Sequence, residues 1–365
     1  MSKFCAENEA VKRQYVFFLQ AAEGKQTPTV DSALHAIERF EKSTNWKPFK
    51  KFHVEQARAF RARLVSECGP DGRPLSAATI ITILKRLRHF FGWLSGQTGF
   101  RSRIKASDAA YFTPSEQDRR IASARRSGYV PTLEEIKRVL AAMPARTIVE
   151  RRNRALIAFI ILTGSRDGAA ASFRLKHLDL EARTLLQDGR EVKTKGRKTF
   201  VSYFFPVGDE PIEILADYIR ALHELGFGPD DPLFPATKVG SGAGRTFEAD
   251  GLTRRHWATA APIRLIFRDA FEAVGLPYAK PHSFRKTLAR LGEKICGTPE
   301  AWKSWSQNFG HESEMTTFVG YGIVPSHRQG EILRNLGSRS ASSITGLDID
   351  ALAAFVASAR AKPLE

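Results

Sequence analysis

The sequence predicts a mainly α-helical protein that contains one small β element. Three observations support this fold class. Apolar residues recur at helical spacing through the first third of the chain, and segments of the same kind follow after Pro131. Strand-like patterns are confined to two neighbouring segments, 184–193 and 199–207, which a polar turn separates. Hydrophobic residues make up 42% of the 365 residues, which is enough to form a sizeable core.

The first third of the chain is predicted to be an N-terminal helical domain, residues 1–105. Helices are expected over residues 32–41, 54–67 and 77–94, since each segment places its apolar side chains on one face. Ser76 is typical of a residue that caps a helix N-terminus. The second and third helices are separated by a strong turn signal, Cys68-Gly-Pro-Asp-Gly.

A second globular domain is predicted over residues 131–340. Its first buried helix is expected to end at Thr163-Gly164, because glycine is the usual residue after a helix C-terminus. The two strand-like segments form a β-hairpin with lysines at its tip. The helices of this domain are expected over residues 153–162, 212–225, 262–274 and 283–295.

Two segments lie outside these predicted domains. Residues 106–130 are polar, poor in aliphatic side chains and rich in Ser and Arg, which indicates an extended, basic interdomain linker. Residues 341–365 contain an apolar stripe at helical spacing and are expected to form a C-terminal tail helix. A helix this short is marginal alone, so it needs a surface to cover.

The charge of the chain points to a polyanionic partner. The net charge is +17, and residues 1–127 hold 23 Lys and Arg against 12 Asp and Glu. No apolar run is long enough for a membrane span, and the N-terminus does not resemble a signal peptide. Three scattered cysteines cannot build a disulfide framework or a zinc site. We therefore expect a cytoplasmic protein that binds DNA and no membrane.

The third predicted helix carries the candidate DNA-binding residues Lys85, Arg86 and Arg88. A solvated basic face is the alternative interpretation of such a cluster. The basic character of the whole segment favours a helix that lies against DNA.

Five short motifs of the second domain could perform chemistry, whereas P-loop, HExxH and GxSxG motifs are absent from the sequence. Each motif contributes a cationic group, an imidazole or a phenol. In chain order they are Arg166 in Thr-Gly-Ser-Arg, the hairpin lysines Lys193 and Lys195, His282 and Arg285 in His-Ser-Phe-Arg, His311 after Gly310, and Tyr321 between two glycines.

This ordered set resembles the tyrosine recombinase family, the phage integrases. The resemblance implies a helical, SAM-like core-binding domain followed by an α+β catalytic domain. It also implies that Tyr321 is a nucleophile that becomes joined to a DNA 3′-phosphate, without metal, ATP or another cofactor. Arg166, Arg285 and His311 would contact the phosphate, His282 would be the base, and a hairpin lysine would protonate the leaving 5′-hydroxyl.

Two positions leave alternatives open. Lys193 ends the first predicted strand, the family's usual place for the lysine, so it is favoured over Lys195, which is then expected to contact DNA. The family usually carries an acid three residues after the first arginine, and here that position is Ala169. Asp167 is the acid that could take its place.

The function implied by the resemblance is site-specific DNA recombination or integration by four protomers on two duplexes, at the nucleoid in the cytoplasm. Accessory DNA-bending proteins are compatible further partners, and a mobile genetic element is a compatible source of the DNA site. The tail helix would then dock on a neighbouring protomer, with its own catalytic domain as the alternative surface. Two other functions stay open: a type IB topoisomerase, and a catalytically silent DNA-binding protein with the same fold.

Overall fold

The computed structural model describes residues 4–69, 72–114, 116, 120, 128–241 and 247–310. The chain divides between residues 127 and 128 into two compact units. Helices dominate both units, and the strands are short. The predicted fold class, mainly α with a small β element, is confirmed. None of the described helices is long and apolar enough to cross a membrane.

The first unit contains four α-helices among its described residues. The helix predicted over 77–94 has those bounds, and the Oγ of its cap Ser76 accepts a hydrogen bond from the backbone N–H of Thr79 at 3.1 Å. The N-terminal helix was not predicted, because two of its three buried side chains, Asn8 and Tyr15, are polar. The elements are α1 (Ala6–Phe17), a π-helical turn (Phe18–Ala22), α2 (Thr27–Ser43), α3 (Val54–Ser66) and α4 (Ala77–Leu94).

The core of the first unit is built from aromatic rings. Phe40 lies edge-on to Phe60, Phe91 and Phe112, with ring centroids 5.2–5.5 Å apart. Phe112 belongs to a 3-10 helix, Ala106–Phe112, that packs into this core. The prediction of an extended linker from residue 106 was therefore wrong over these residues, because the buried Ala109 and Phe112 attach them to the first unit.

The second unit is organised around a buried helix that starts earlier than predicted. The helix starts at Ile148, five residues before the predicted start, with a capping box. Thr147 Oγ1 accepts a hydrogen bond from the backbone N–H of Glu150, and the Glu150 carboxylate accepts one from the backbone N–H of Thr147. The unpredicted helix near residue 300 contributes the buried Trp302. The described helices are α5 (Leu133–Ala142), α6 (Ile148–Thr163), the short α7 (Asp167–Ala170), α8 (Glu210–Glu224), α9 (Ala261–Glu272), α10 (Pro281–Ile295) and α11 (Pro299–Asn308).

The β element of the second unit is a three-stranded antiparallel sheet with the order β1 (Leu178–Asp179), β2 (Thr184–Gln187) and β3 (Phe200–Tyr203). The predicted hairpin is present, but its strands are shorter than expected. After Gln187 the chain turns at Asp188. The Asp188 carboxylate accepts a hydrogen bond from the backbone N–H of Arg190, and the Asp188 carbonyl accepts one from the backbone N–H of Val192. A second antiparallel pair, β4 (Thr237–Ser241) and β5 (Phe247–Leu252), was not predicted.

Candidate active site

The first site motif is a rigid turn at the end of α6. Gly164 has φ +61, and a Cβ atom at this position would lie 3.0 Å from the ring of Phe309 and 3.1 Å from that of Phe205. Thr163 Oγ1 donates a hydrogen bond to Ser165 Oγ at 2.8 Å inside the turn. Glycine is therefore required here, and the turn leads directly into Arg166, the half-buried residue that precedes α7.

Arg285, in the His-Ser-Phe-Arg motif, connects this turn to the residues just before His311. Its side chain is only 2% exposed, and its guanidinium donates hydrogen bonds to the carbonyl oxygens of Gly164 at 2.5 Å and Phe309 at 3.0 Å. The same guanidinium lies over the Phe309 ring, 4.5 Å from its centroid. One residue of α10 thus joins the Thr-Gly-Ser-Arg turn to the Phe-Gly-His motif, although the two lie more than 140 residues apart in the sequence.

The Gly-His motif begins at Gly310, which is the last described residue. Gly310 has φ +69, and a Cβ atom there would overlap the ring of Phe200 in β3. Asn308 pairs with the free edge of the same strand, because its amide accepts from the backbone N–H of Tyr203 at 2.7 Å and donates to the Tyr203 carbonyl at 2.9 Å. The backbone immediately before His311 is therefore held by both the sheet and Arg285.

His282 lies one turn before Arg285 and is the exposed residue of a first turn of α10 that is otherwise buried. Its pKa is lowered from the ordinary value of 6.5 by desolvation and by the charges of Arg285, Arg166 and Lys286, while the charge of Asp167 opposes the shift. His282 therefore shares one electrostatic environment with both predicted arginines. A lowered pKa keeps the imidazole neutral at neutral pH, which is the form that can accept a proton.

The family's acid three residues after Arg166 is absent here, since that position is Ala169. Ala169 is 2% exposed and lies within the core of the second unit. Asp167 instead accepts a hydrogen bond from Arg264 Nε of α9 at 2.8 Å and one from the backbone N–H of Gly168 at 2.9 Å. The carboxylate of Asp167 is thus held by α9, and its charge reaches His282.

Lys193 is exposed and does not end a strand as expected, since β2 ends at Gln187 and the chain turns at Asp188. Its backbone N–H donates a hydrogen bond to Ser172 Oγ at 2.9 Å, and Ser172 Oγ donates to the Ala169 carbonyl at 2.9 Å. Lys193 is therefore attached to the segment that follows Arg166. Lys195 begins the 3-10 turn Lys195–Arg197.

The structure brings together three of the predicted catalytic residues, Arg166, His282 and Arg285. The Lys193 backbone is bonded to Ser172, six residues after Arg166. His311 and Tyr321 lie outside the described residues, as does the predicted tail helix. The described part of the chain contains no cluster of three or more His, Cys, Asp and Glu side chains that could hold a metal ion.

The predicted DNA-binding residues belong to the first unit. Lys85 and Arg88 are exposed on α4, and Arg86 is half-buried. Next to them in α4 is His89, which belongs to an unpredicted hydrogen-bonded chain: its ring contacts the hydroxyl of the buried Tyr15 at 2.6 Å and the carboxylate of Glu23 at 2.9 Å. This chain connects the π-helical turn region to α4, and no motif in the sequence signals it.

Sequence comparison gives a partial match to a curated relative. No family model matches the chain. The tyrosine recombinase XerC of Anoxybacillus flavithermus is 26% identical over 161 residues, which are 43% of this chain and 46% of the relative. The chain thus matches about half the length of this curated relative.

Solved structures extend the similarity to most of the chain. A lambda integrase bound to a COC′ core site superimposes with a TM-score of 0.56 at 16% identity, over 85% of this chain and 93% of the integrase. The recombinase XerH, bound to its palindromic difH substrate, gives 0.55 at 17% identity over 90% and 84% of the two chains. The transposon Tn1549 integrase gives 0.52 at 15% identity over 89% and 99%. The fold is therefore that of the tyrosine recombinases, and the family resemblance predicted from the five motifs is confirmed.

Proposed function

We propose that this chain is a site-specific DNA recombinase that cuts and rejoins DNA through a 3′-phosphotyrosyl bond at Tyr321. The reaction needs neither metal nor ATP, because the phosphotyrosyl bond keeps the energy of the broken phosphodiester until the strand is rejoined. The XerC similarity and the tyrosine recombinase fold support this function.

One observation carries the proposal most directly: Arg285 connects the Thr-Gly-Ser-Arg turn with the residue two before His311. A phosphodiester under attack gains negative charge on its nonbridging oxygens, and guanidinium groups stabilise such charge while staying protonated. Arg166 and Arg285 are the guanidiniums of our proposal, and His311 adds a hydrogen bond. The motifs that carry these residues must lie close together for this chemistry. Among the described residues, Arg285 is the side chain that connects them.

The proton transfers are assigned to His282 and Lys193. The Tyr321 phenol, with an ordinary pKa of about 10, must lose its proton as it attacks phosphorus. His282 is the base, since its lowered pKa leaves the imidazole neutral. The electron pair of the broken P–O bond stays on the leaving 5′-oxygen, which takes a proton from the Lys193 ammonium. A second 5′-hydroxyl then attacks the phosphotyrosine and releases Tyr321.

The partners follow from this chemistry. Strand exchange needs two duplexes, so we propose a homotetramer on two DNA sites, with α4 of the first unit contributing Lys85, Arg86 and Arg88 to phosphate contacts. Lys195 is assigned to the same kind of contact. The lambda integrase structure is bound to a COC′ core site, the XerH structure to its palindromic difH substrate and the Tn1549 integrase structure to a circular intermediate DNA, which supports duplex DNA as the partner. The enzyme would work at the nucleoid in the cytoplasm.

The proposal is tested by trapping covalent complexes on a randomised library of nicked duplexes. A nick beside the cleavage point lets a short 5′-hydroxyl fragment diffuse away, so the phosphotyrosine cannot be resealed. With EDTA present and no ATP, we expect protein that stays attached to DNA in denaturing detergent. Sequencing the attached strands should return one preferred site, with protein on the 3′ side of every break.

Each other outcome rejects the proposal in a specific way. Attachment to 5′ ends, or only with added metal, contradicts the phosphotyrosyl mechanism. A type IB topoisomerase would be identified by two results together: adducts without sequence preference, and relaxation of supercoiled plasmid at a molar ratio of protein to plasmid below one. DNA binding without any adduct would identify a silent binder.

The two hairpin lysines are separated by a substrate whose leaving oxygen is replaced with sulfur. We expect Lys193→Ala to slow cleavage of the ordinary substrate about 10²- to 10⁴-fold, the usual size of general-acid catalysis. A 5′-phosphorothiolate should be cleaved by this variant at nearly the wild-type rate, because a thiolate leaves without a proton. The measurement is the single-turnover rate of adduct formation on both substrates.

Lys195→Ala is the matched control, since it removes the same charge two residues away. It should cleave the ordinary substrate nearly normally, bind DNA less tightly than the wild type, and lose affinity less steeply than the wild type as salt rises. If only Lys195→Ala is rescued by the sulfur substrate, Lys195 is the general acid and Lys193 is not.

A further inference from the structure

Ser172 is a buried serine outside the five motifs, and its hydroxyl connects Lys193 to the segment that follows Arg166. Its oxygen accepts a hydrogen bond from the backbone N–H of Lys193 at 2.9 Å and donates one to the carbonyl of Ala169 at 2.9 Å. Because the single hydroxyl hydrogen is used for Ala169, a lone pair is left for the Lys193 N–H. The residue is only 7% exposed, so water cannot readily replace either bond.

The backbone of Ser172 is fixed on both sides. Before it, the Arg166 carbonyl accepts a hydrogen bond from the Ala170 N–H at 2.9 Å, and the Ser172 N–H donates one to the Ala169 carbonyl at 2.8 Å, so that a single tight turn separates Arg166 from Ser172. After it, three backbone hydrogen bonds join the chain to the segment 229–233. From N–H to carbonyl they are Leu233 to Phe173 at 2.8 Å, Leu175 to Asp231 at 3.0 Å and Lys176 to Pro229 at 2.9 Å.

Lys193 lies at the apex of a three-residue turn. The backbone N–H of Thr194 donates to the Val192 carbonyl at 2.7 Å, which is the hydrogen bond of a γ-turn centred on Lys193. Val192 is buried in the core of the second unit, whereas Lys193 is exposed. The Lys193 N–H is not used within the turn, and Ser172 is its acceptor. The bond to Ser172 therefore fixes the backbone from which the lysine side chain starts.

A surface ion pair also joins these two segments. Lys176 Nζ lies 2.9 Å from a carboxylate oxygen of Glu191, and each side chain is more than one third exposed. Exposed pairs of this kind contribute little, because water screens the charges and two long side chains must be ordered. The buried bond from Lys193 to Ser172 is thus the stronger candidate for a contact that places the lysine.

We propose that Ser172 is a positioning residue for Lys193: its hydroxyl holds the Lys193 backbone at a set distance from the Arg166 turn, and so places the ammonium group at the leaving 5′-oxygen of the phosphate that Arg166 contacts. The inference rests on the proposed function, in which the Lys193 ammonium gives its proton to that oxygen as the P–O bond breaks. Ser172 does not touch the substrate in this role.

The test measures single-turnover cleavage of the ordinary and 5′-phosphorothiolate substrates by Ser172→Ala, which loses only the hydroxyl. We expect cleavage of the ordinary substrate to slow about 10- to 100-fold, the size of a small misplacement of a catalytic group. The sulfur substrate should be cleaved at nearly the wild-type rate, because its leaving thiolate needs no proton. Ser43→Ala is the matched control and should leave both rates unchanged. The Ser43 hydroxyl also donates to the carbonyl three residues earlier, but it accepts no backbone N–H among the described residues.

The effect of Ser172→Ala should also depend on Lys193. If the hydroxyl acts through the lysine, adding Ser172→Ala to Lys193→Ala should slow the ordinary substrate no further than Lys193→Ala alone. Multiplied effects of the two changes overturn the inference, and so does equal slowing of Ser172→Ala on both substrates, because a general defect of the site would not depend on the leaving atom. A wild-type rate of Ser172→Ala on the ordinary substrate overturns it as well.

Amide hydrogen exchange supplies a readout that is independent of activity. The Lys193 amide should exchange faster in Ser172→Ala than in the wild type, because its acceptor is removed, and unchanged exchange rejects the proposed contact. If the amide responds but the wild type forms no adduct, the contact is real and the proposed function is what fails. If Lys195 proves to be the general acid, the contact stands and its role in proton delivery is rejected.

Discussion

Replacing Arg285 with alanine is expected to destabilise the second unit and to abolish adduct formation. The variant loses two buried hydrogen bonds to the carbonyls of Gly164 and Phe309, and bonds from a charged donor contribute about 1.5–3 kcal/mol each. Two carbonyl groups are then left without this donor inside the protein. We therefore expect the free energy of unfolding to fall by about 3–5 kcal/mol, measured by urea unfolding of the whole chain.

Two further variants separate charge from geometry at this position. Arg285→Lys keeps the positive charge but cannot reproduce the planar fork that reaches two carbonyls, so it should be destabilised and inactive. Arg290→Ala, on an exposed position of the same helix, should change stability by no more than about 0.5 kcal/mol. Wild-type stability in Arg285→Ala would show that the two carbonyl bonds contribute nothing to the fold.

Replacing Tyr321 with phenylalanine should remove the covalent product while leaving DNA affinity unchanged. The substitution deletes a single oxygen, which is the atom that would attack phosphorus. Loss of a covalent nucleophile typically lowers the rate by at least about 10⁴-fold, so no adduct should be visible on the trapped substrate. Affinity is measured on the same duplex by titration, which separates failure to react from failure to bind.

Tyr203→Phe is the matched control for this experiment, because it removes a phenol oxygen from a side chain that is 63% exposed in the same unit. It should form the adduct at the wild-type rate. An adduct that persists in Tyr321→Phe would assign the nucleophile to another residue, whereas loss in both variants would point to a defect unrelated to the reacting oxygen.

Secondary structure was predictable wherever a local signal was strong. Ser76 caps its helix as expected, and Gly164 ends the buried helix. The prediction failed at α1, where Asn8 and Tyr15 are buried through distant partners: Asn8 bonds to Glu41, and Tyr15 bonds to His89. Such long-range pairing leaves no periodic apolar pattern in the local sequence.

The residues of the candidate site were predictable from the sequence, but the hydrogen bonds that connect them were not. The motifs name Arg166, His282 and Arg285, and the structure brings these three together. Nothing in the sequence shows that Arg285 bonds to backbone carbonyls, since any residue supplies the same carbonyl group. Arg264 was missed for a related reason, because its hydrogen bond to Asp167 joins residues that are 97 positions apart in the sequence.

The anchoring of Gly310 sets a limit on where the proposed nucleophile can act. Gly310 is held against Phe200, and its neighbour Phe309 is bonded to Arg285, so the chain beyond them starts from a fixed origin. Tyr321 follows eleven residues later, and a fully extended chain of that length spans at most about 36–40 Å. The Cα atom of Tyr321 is therefore confined to a sphere of that radius around Gly310, and the phenol to a sphere that is wider by the length of the side chain. Inserting residues between Gly310 and Tyr321 enlarges this sphere. The effective concentration of the phenol at any phosphate within the sphere then falls, whichever protomer holds that phosphate.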